Sequence, residues 1–141
     1  MINITATKTM TFDAGHRLSG YQGKCFSLHG HTYRLEITVT GNPDQIGMII
    51  DFNIIKDIYK KCIEPLFDHR TILCKTDSLN LQLFSNFPPE WITWVDYNPT
   101  AENISSHILS ILKKELKSSH PEVKLKCITL WETPTSYAQV A

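Results

Sequence analysis

Two stretches of alternating polarity, each running into histidine, constrain this chain more than any other feature. Over residues 2–12 the even positions read Ile2, Ile4, Ala6, Lys8, Met10 and Phe12, and the odd positions read Asn3, Thr5, Thr7, Thr9 and Thr11. A period of two, broken only at Lys8, predicts a half-buried strand, because successive side chains of an extended chain point to opposite faces. A second strand is predicted over 32–40, with Tyr33, Leu35, Ile37 and Val39 on one face and Thr32, Arg34, Glu36 and Thr38 on the other. Gly41-Asn42-Pro43-Asp44 breaks it. Carried past the apolar runs, the same parity puts His16 on the face of Met10 and Phe12. It puts His29 and His31 on the face of Tyr33 and Leu35.

The rest of the chain predicts an α+β order. Phe52, Ile55, Ile58, Tyr59, Cys62, Ile63 and Leu66 follow helical spacing, with Asp51 as N-cap and Pro65 ending the helix near Glu64. A short third strand is expected over 91–95. Asn98-Pro99 opens a second helix, proline suiting a first turn, and its stripe is Ala101, Ile104, Ile108, Ile111 and Leu112. Residues 123–133 read as a fourth strand, on which Cys127 shares a face with Val123 and Leu125. Residues 70–90 are illegible and are treated as part of an insertion around 70–97. The expected architecture is one domain, a four-stranded antiparallel sheet with two helices on one face.

Composition sets the class. A chain of 141 residues is one domain that buries roughly 65–70% of its unfolded surface, so it needs no disulfide staple. Formal net charge is zero, which argues against a nucleic-acid partner. The first residues lack a basic region followed by an apolar run, so no secretory signal is read. No apolar stretch approaches the ~20 residues of a membrane span. Cys25, Cys62, Cys74 and Cys127 are expected as free thiols in a cytosolic protein.

The chemistry concentrates in Phe12-Asp13-Ala14-Gly15-His16-Arg17-Leu18 and Gly23-Lys24-Cys25-Phe26-Ser27-Leu28-His29-Gly30-His31. Three neutral imidazoles projecting from one apolar side suit Zn²⁺ and leave a fourth position open. Cys25 is either a fourth ligand closing a structural site or an unligated thiol acting as a base, its thiolate favoured by a nearby cation such as zinc or Lys24. Asp68-His69 is either a loop pair or a carboxylate fixing an imidazole tautomer. Glu132 shares parity with Ile128 and Leu130, so it either reaches solvent at the strand end or is a desolvated carboxylate awaiting a donor. His107, on a helix, and His120, at a helix end, are assigned no function.

Taken together, several ordered motifs resemble the 6-pyruvoyltetrahydropterin and 6-carboxytetrahydropterin synthase family over nearly the whole chain. They are residues 12–18, Gly23-Lys24-Cys25, Leu28-His29-Gly30-His31-Thr32-Tyr33, residues 47–52, Asp68-His69, Pro99-Thr100-Ala101-Glu102-Asn103, Glu132-Thr133 and Ser136-Tyr137. The resemblance implies the T-fold, zinc on His16, His29 and His31, and a catalytic set of Cys25, His69, Asp68 and Glu132. It aligns Glu132 with the glutamate that grips the pterin's N–H edge, and adds Thr100, Glu102 and Lys24 as substrate contacts. Arg17, Lys24 and Arg34 are its candidates for the phosphates. It also implies trimers stacked as a homohexamer, an oligomeric barrel in which Cys25 and Asp68-His69 meet across a subunit boundary.

The three-residue gap between Cys25 and His29 resembles the bacterial 6-carboxy branch of queuosine biosynthesis, whereas the animal pyruvoyl branch has a longer gap. A folate-linked branch carries glutamate in place of the cysteine. Departures are Phe26-Ser27, where Gly-Arg is common in the bacterial motif, and a longer 70–97 stretch. The implied reaction converts 7,8-dihydroneopterin triphosphate to 6-carboxytetrahydropterin, acetaldehyde and triphosphate. Zinc is Lewis acid and template, Cys25 takes a proton, and His69, oriented by Asp68, shuttles protons. No nicotinamide or flavin is expected. The alternatives are a pyruvoyl product from the same site, or a non-catalytic zinc-stabilised binding module with Cys25 as fourth ligand.

Overall fold

The computed structural model describes residues 2–21, 23 and 26–141. Its centre is an antiparallel pair, β1 (Thr5–His16) and β2 (His29–Thr40), in unbroken register from Thr5 opposite Thr40 to His16 opposite His29. Ile2 and Ile4 are exposed and precede β1, so the predicted strand begins later and runs further than its apolar pattern. The extension holds because Phe12, Ala14 and His16 are all buried on one face of β1 while Thr11 and Asp13 stay exposed. A histidine ends the buried row, so hydrophobicity alone does not mark it.

Among the described residues the sheet has six strands, not the four expected, in the order β4 (Ile92–Val95), β3 (Arg70–Cys74), β1, β2, β5 (Lys124–Thr133), β6 (Ser136–Val140). It is also mixed: β3 runs parallel to β1, and β4 runs parallel to β3. The two outer strands on the other side are antiparallel, β5 on β2 and β6 on β5. Within β3, the consecutive residues Ile72, Leu73 and Cys74 are all buried. A strand covered on both faces shows no alternation, and this hides it in the sequence.

Two of the four α-helices among the described residues cover one face, as expected. Helix α1 (Phe52–Cys62) is capped by the Asp51 carboxylate, which accepts the Asn53 N–H at 2.8 Å. Pro65 lies in the first turn of a second, one-turn helix, α2 (Glu64–Phe67). The long α4 (Ala101–Ser119) has Thr100 as its N-cap, so Pro99 precedes the helix and is not in its first turn. Ile55, Ile58 and Tyr59 of α1 and Ile104, Ile108 and Leu112 of α4 pack in one core with Phe12, Tyr33, Leu35, Ile37, Ile128 and Leu130 of the sheet. Full burial of one such side chain is worth about 1.5–3 kcal/mol. The unpredicted α3 (Ser78–Phe84) belongs to a second, smaller cluster of Leu73, Phe84 and Ile92. No helix of the described residues is long and apolar enough to cross a membrane.

Register irregularities matter at β5. Thr38 pairs with Cys127 but Val39 pairs with Leu125, so Lys126 is an extra residue. The core face therefore switches from Leu125, next to the buried Val123 that precedes the strand, to Ile128 and Leu130 along β5. Cys127, opposite Thr38, does not share the Leu125 face as its parity predicts. A second irregularity between Trp131 and Thr133 leaves Glu132 as the extra residue, where bulges commonly re-aim a side chain.

Candidate functional site

The β1–β2 register puts His16 opposite His29 and His31 opposite Ala14, at the end of the core face. The three rings meet at steep angles in T-shaped contacts, with centroids 4.6, 5.0 and 4.9 Å apart. His16 is fully buried; His29 and His31 are half-buried. The His16 Nε2 atom lies 3.0 Å from His29 Nε2 and 3.2 Å from His31 Nε2.

Their other nitrogens explain why these atoms converge. His16 Nδ1 lies 2.8 Å from the Pro99 carbonyl, and His29 Nδ1 lies 2.7 Å from the Ser27 carbonyl. A carbonyl only accepts, so both Nδ1 atoms carry the proton and both Nε2 atoms present lone pairs. Two lone pairs facing each other at 3.0 Å repel unless a cation lies between them. A tetrahedral ion with bonds of 2.0–2.1 Å sets its nitrogens about 3.3 Å apart, close to what is found. Burial pushes the pKa of His16 down, and that of His31 down as well despite the Glu132 charge beside it. Both effects favour the neutral imidazole that binds metal. His16, His29 and His31 can together hold a metal ion.

Glu132 reaches the same place from β5, its Oε1 3.7 Å from His31 Nε2 and its side chain largely covered. It lines a recess with Leu18, Thr100, Ala101, Glu102, Ser136 and Tyr137. Glu132, Thr100 and Glu102, from β5 and the start of α4, are thus brought together. Thr100 and Pro99 tie this recess to the histidines, since Pro99 orients His16 and Thr100 caps α4.

Asp68 and His69 sit at the opposite edge of β1. Phe67, fully buried and 5.8 Å from the Phe12 ring, anchors the end of α2. Asp68 then accepts the Asp13 N–H at 3.0 Å, and the His69 N–H donates to the Asp13 carbonyl at 2.7 Å. His69 adopts φ 57°, a left-handed conformation uncommon outside glycine. Asp68 Oδ2 lies 3.0 Å from His69 Nδ1. Hydrogen bonding to Asp68 raises the His69 pKa, while Nε2 is left for other partners on an exposed side chain. His69 and His31 line one shallow recess with Gly15, Gly30 and Arg70.

Lys24 and Cys25 lie outside the described residues. Arg17 is no open phosphate contact: it is buried, and its Nη1 donates to Asp77 Oδ2 at 2.8 Å and to Asn80 Oδ1 at 2.9 Å. Arg34 remains half-exposed, over the Trp131 ring, and lines a recess with His31, Trp131 and Glu132. The orienting carbonyls of Pro99 and Ser27 and the backbone of Asp13 were missed, because main-chain atoms leave no mark in a side-chain pattern.

A family model for 6-pyruvoyl tetrahydropterin synthase matches residues 5–141. The chain is 41% identical over 138 residues to a 6-carboxy-5,6,7,8-tetrahydropterin synthase of Rickettsia felis, covering 97% of this chain and 99% of that one. It is 34% identical over 139 residues to a protein of the same name from Haemophilus influenzae, covering 94% and 95%. Among solved structures, an uncharacterized protein of Wolinella succinogenes superposes with a TM-score of 0.82 at 22% identity, covering 99% of this chain and 98% of that one. That last likeness is one of fold, the expected T-fold.

Proposed function

This chain belongs to the 6-pyruvoyl tetrahydropterin synthase family, and from that premise we propose that it is a zinc-dependent 6-carboxy-5,6,7,8-tetrahydropterin synthase of the queuosine pathway. It takes 7,8-dihydroneopterin triphosphate and releases 6-carboxytetrahydropterin, acetaldehyde and triphosphate. The observation that carries the reading is the convergence of three Nε2 atoms beside a recess lined by Thr100, Glu102 and Glu132. The name of the Rickettsia felis relative supports the carboxy product.

When bound, zinc supplies Lewis-acid polarisation and a fixed template for the substrate side chain. His16, His29 and His31 hold it through Nε2. Glu132 accepts from the N–H edge of the pterin, with Thr100 and Glu102 completing the ring's recess. Arg34 faces the phosphates. Cys25 removes a proton from the substrate side-chain carbon, and His69 exchanges protons at Nε2 while Asp68 fixes its Nδ1.

The catalytic set is completed between subunits of a homohexamer in the cytosol. Supporting this, His69 lies at the β3 side of β1, while Glu132 reaches the histidines from β5 on the far side of β2. Among the described residues, strands β4 and β6 end the sheet with one edge each unpaired, edges that pairing with further copies would cover. Incubating purified protein with dihydroneopterin triphosphate and weighing the pterin formed tests the reading. A 6-carboxy mass is expected; an unchanged substrate or a 6-pyruvoyl product overturns it.

A further inference from the structure

We propose that Arg17, Asp77, Asn80 and Asn98 form an outer frame that sets the aim of His16 and His29, a role that rests on reading His16, His29 and His31 as ligands. The frame begins directly after His16. Arg17 is 5% exposed, and a buried guanidinium needs its donors satisfied. Two partners come from the start of α3: Asp77, which also caps that helix through Oδ1, and Asn80, fully buried and itself donating to the Cys74 carbonyl at 3.0 Å. Asp77 further accepts the Ser19 hydroxyl at 2.6 Å. These hydrogen bonds from Ser19 and Arg17 hold its carboxyl below its ordinary pKa.

The frame reaches both carbonyls that orient the ligands. The Arg17 guanidinium lies 4.3 Å from the centre of the Phe26 ring, and Phe26 directly precedes Ser27, whose carbonyl takes the His29 Nδ1 proton. On the other side, Asn98 bonds the Ser19 backbone twice, accepting its N–H at 2.8 Å and donating to its carbonyl at 3.0 Å. Asn98 directly precedes Pro99, whose carbonyl takes the His16 Nδ1 proton. Each orienting carbonyl is therefore one residue from a side chain fixed to residues 17–19. Carbonyls bonded to ligand histidines, as those of Pro99 and Ser27 are, typically govern metal affinity by roughly 10–100-fold, and the frame acts through them. The α3 segment, in the stretch the sequence leaves illegible, thereby acts on the site without touching it.

Phe26 separates this role from a merely structural ion pair, because it is 44% exposed and belongs to neither hydrophobic cluster of the described residues. The test measures the Zn²⁺ dissociation constant of Phe26→Ala, Phe26→Tyr and Asp77→Asn by competition with a chromogenic chelator, and the melting temperature of each metal-free form. Phe26→Ala and Asp77→Asn are expected to bind Zn²⁺ roughly 10-fold or more weakly. Metal-free Phe26→Ala should melt with the wild type, and Phe26→Tyr, which restores the ring, should bind as the wild type does. Wild-type affinity in Phe26→Ala overturns the frame, as does weakened binding that Tyr does not rescue. If Asp77→Asn fails to fold, the two Phe26 variants decide alone. His29→Ala serves as the control: zinc retained there sinks the ligand assignment itself, whereas zinc lost there with Phe26→Ala unaffected sinks the frame alone.

Discussion

Four histidines near β1 carry the same side chain into opposite environments. His16, His29 and His31 stand at the end of a core face, with backbone carbonyls taking the Nδ1 protons of the first two. Burial lowers the pKa of His16 and His31. His69 stands at the strand edge, exposed, and Asp68 raises its pKa. A lowered pKa in a converging group suits a metal ligand, which must be neutral. A raised pKa on an open ring held by a carboxylate suits proton exchange. Environment, not residue type, separates the two roles.

The sharpest way to break this comparison is to remove a ligand. His29→Ala should lose more metal affinity than the roughly 100-fold upper range for outer partners, read by elemental analysis after gel filtration. Next in size are the groups proposed for acid–base work. Cys25→Ala and His69→Ala should each keep zinc and lose about 10²–10⁴-fold in turnover. Mixing the two inactive chains after dissociation and reassembly should restore part of the activity if, as proposed, each supplies what the other lacks across a subunit boundary. A fully active monomer by light scattering would rule the shared site out.

Smaller effects sharpen the picture. Glu132→Gln replaces an acceptor by a donor facing the pterin N–H groups. Losing a charged hydrogen bond worth about 1.5–3 kcal/mol should weaken binding of a pterin analogue roughly 10–100-fold with metal content unchanged. The smallest change is expected for Asp68→Asn, where the His69 pKa should fall toward its ordinary value of 6.5, followed by NMR titration. The sign is set by linkage: the His69⁺–Asp68 contact is fully present below pH 6.5 and is lost as pH rises through the raised value. A His69 titration indifferent to Asp68 would erase the contrast.

Parity alone put His16, His29 and His31 on one face, and β1 and β2 continue far enough to make that true. Period two is a local property of an extended backbone, so no tertiary knowledge was needed. Capping by Asp51 and the stripes of α1 and α4 were legible for the same reason. Family motifs marked Thr100, Glu102 and Glu132, which line one recess. What the sequence could not decide lies where distant chain segments set the outcome. Strand β3, buried on both faces, has no period to read. Lys126 and Glu132 become bulge residues only because β2 and β6 fix the pairing on either side. Arg17 looked like a free cation until α3 folded over it and supplied Asp77 and Asn80. Which ring nitrogen His16 and His29 turn toward their common centre depends on two carbonyls, one of them from a residue far along the chain. Local alternation determines the face a side chain takes; only long-range packing determines what it meets there.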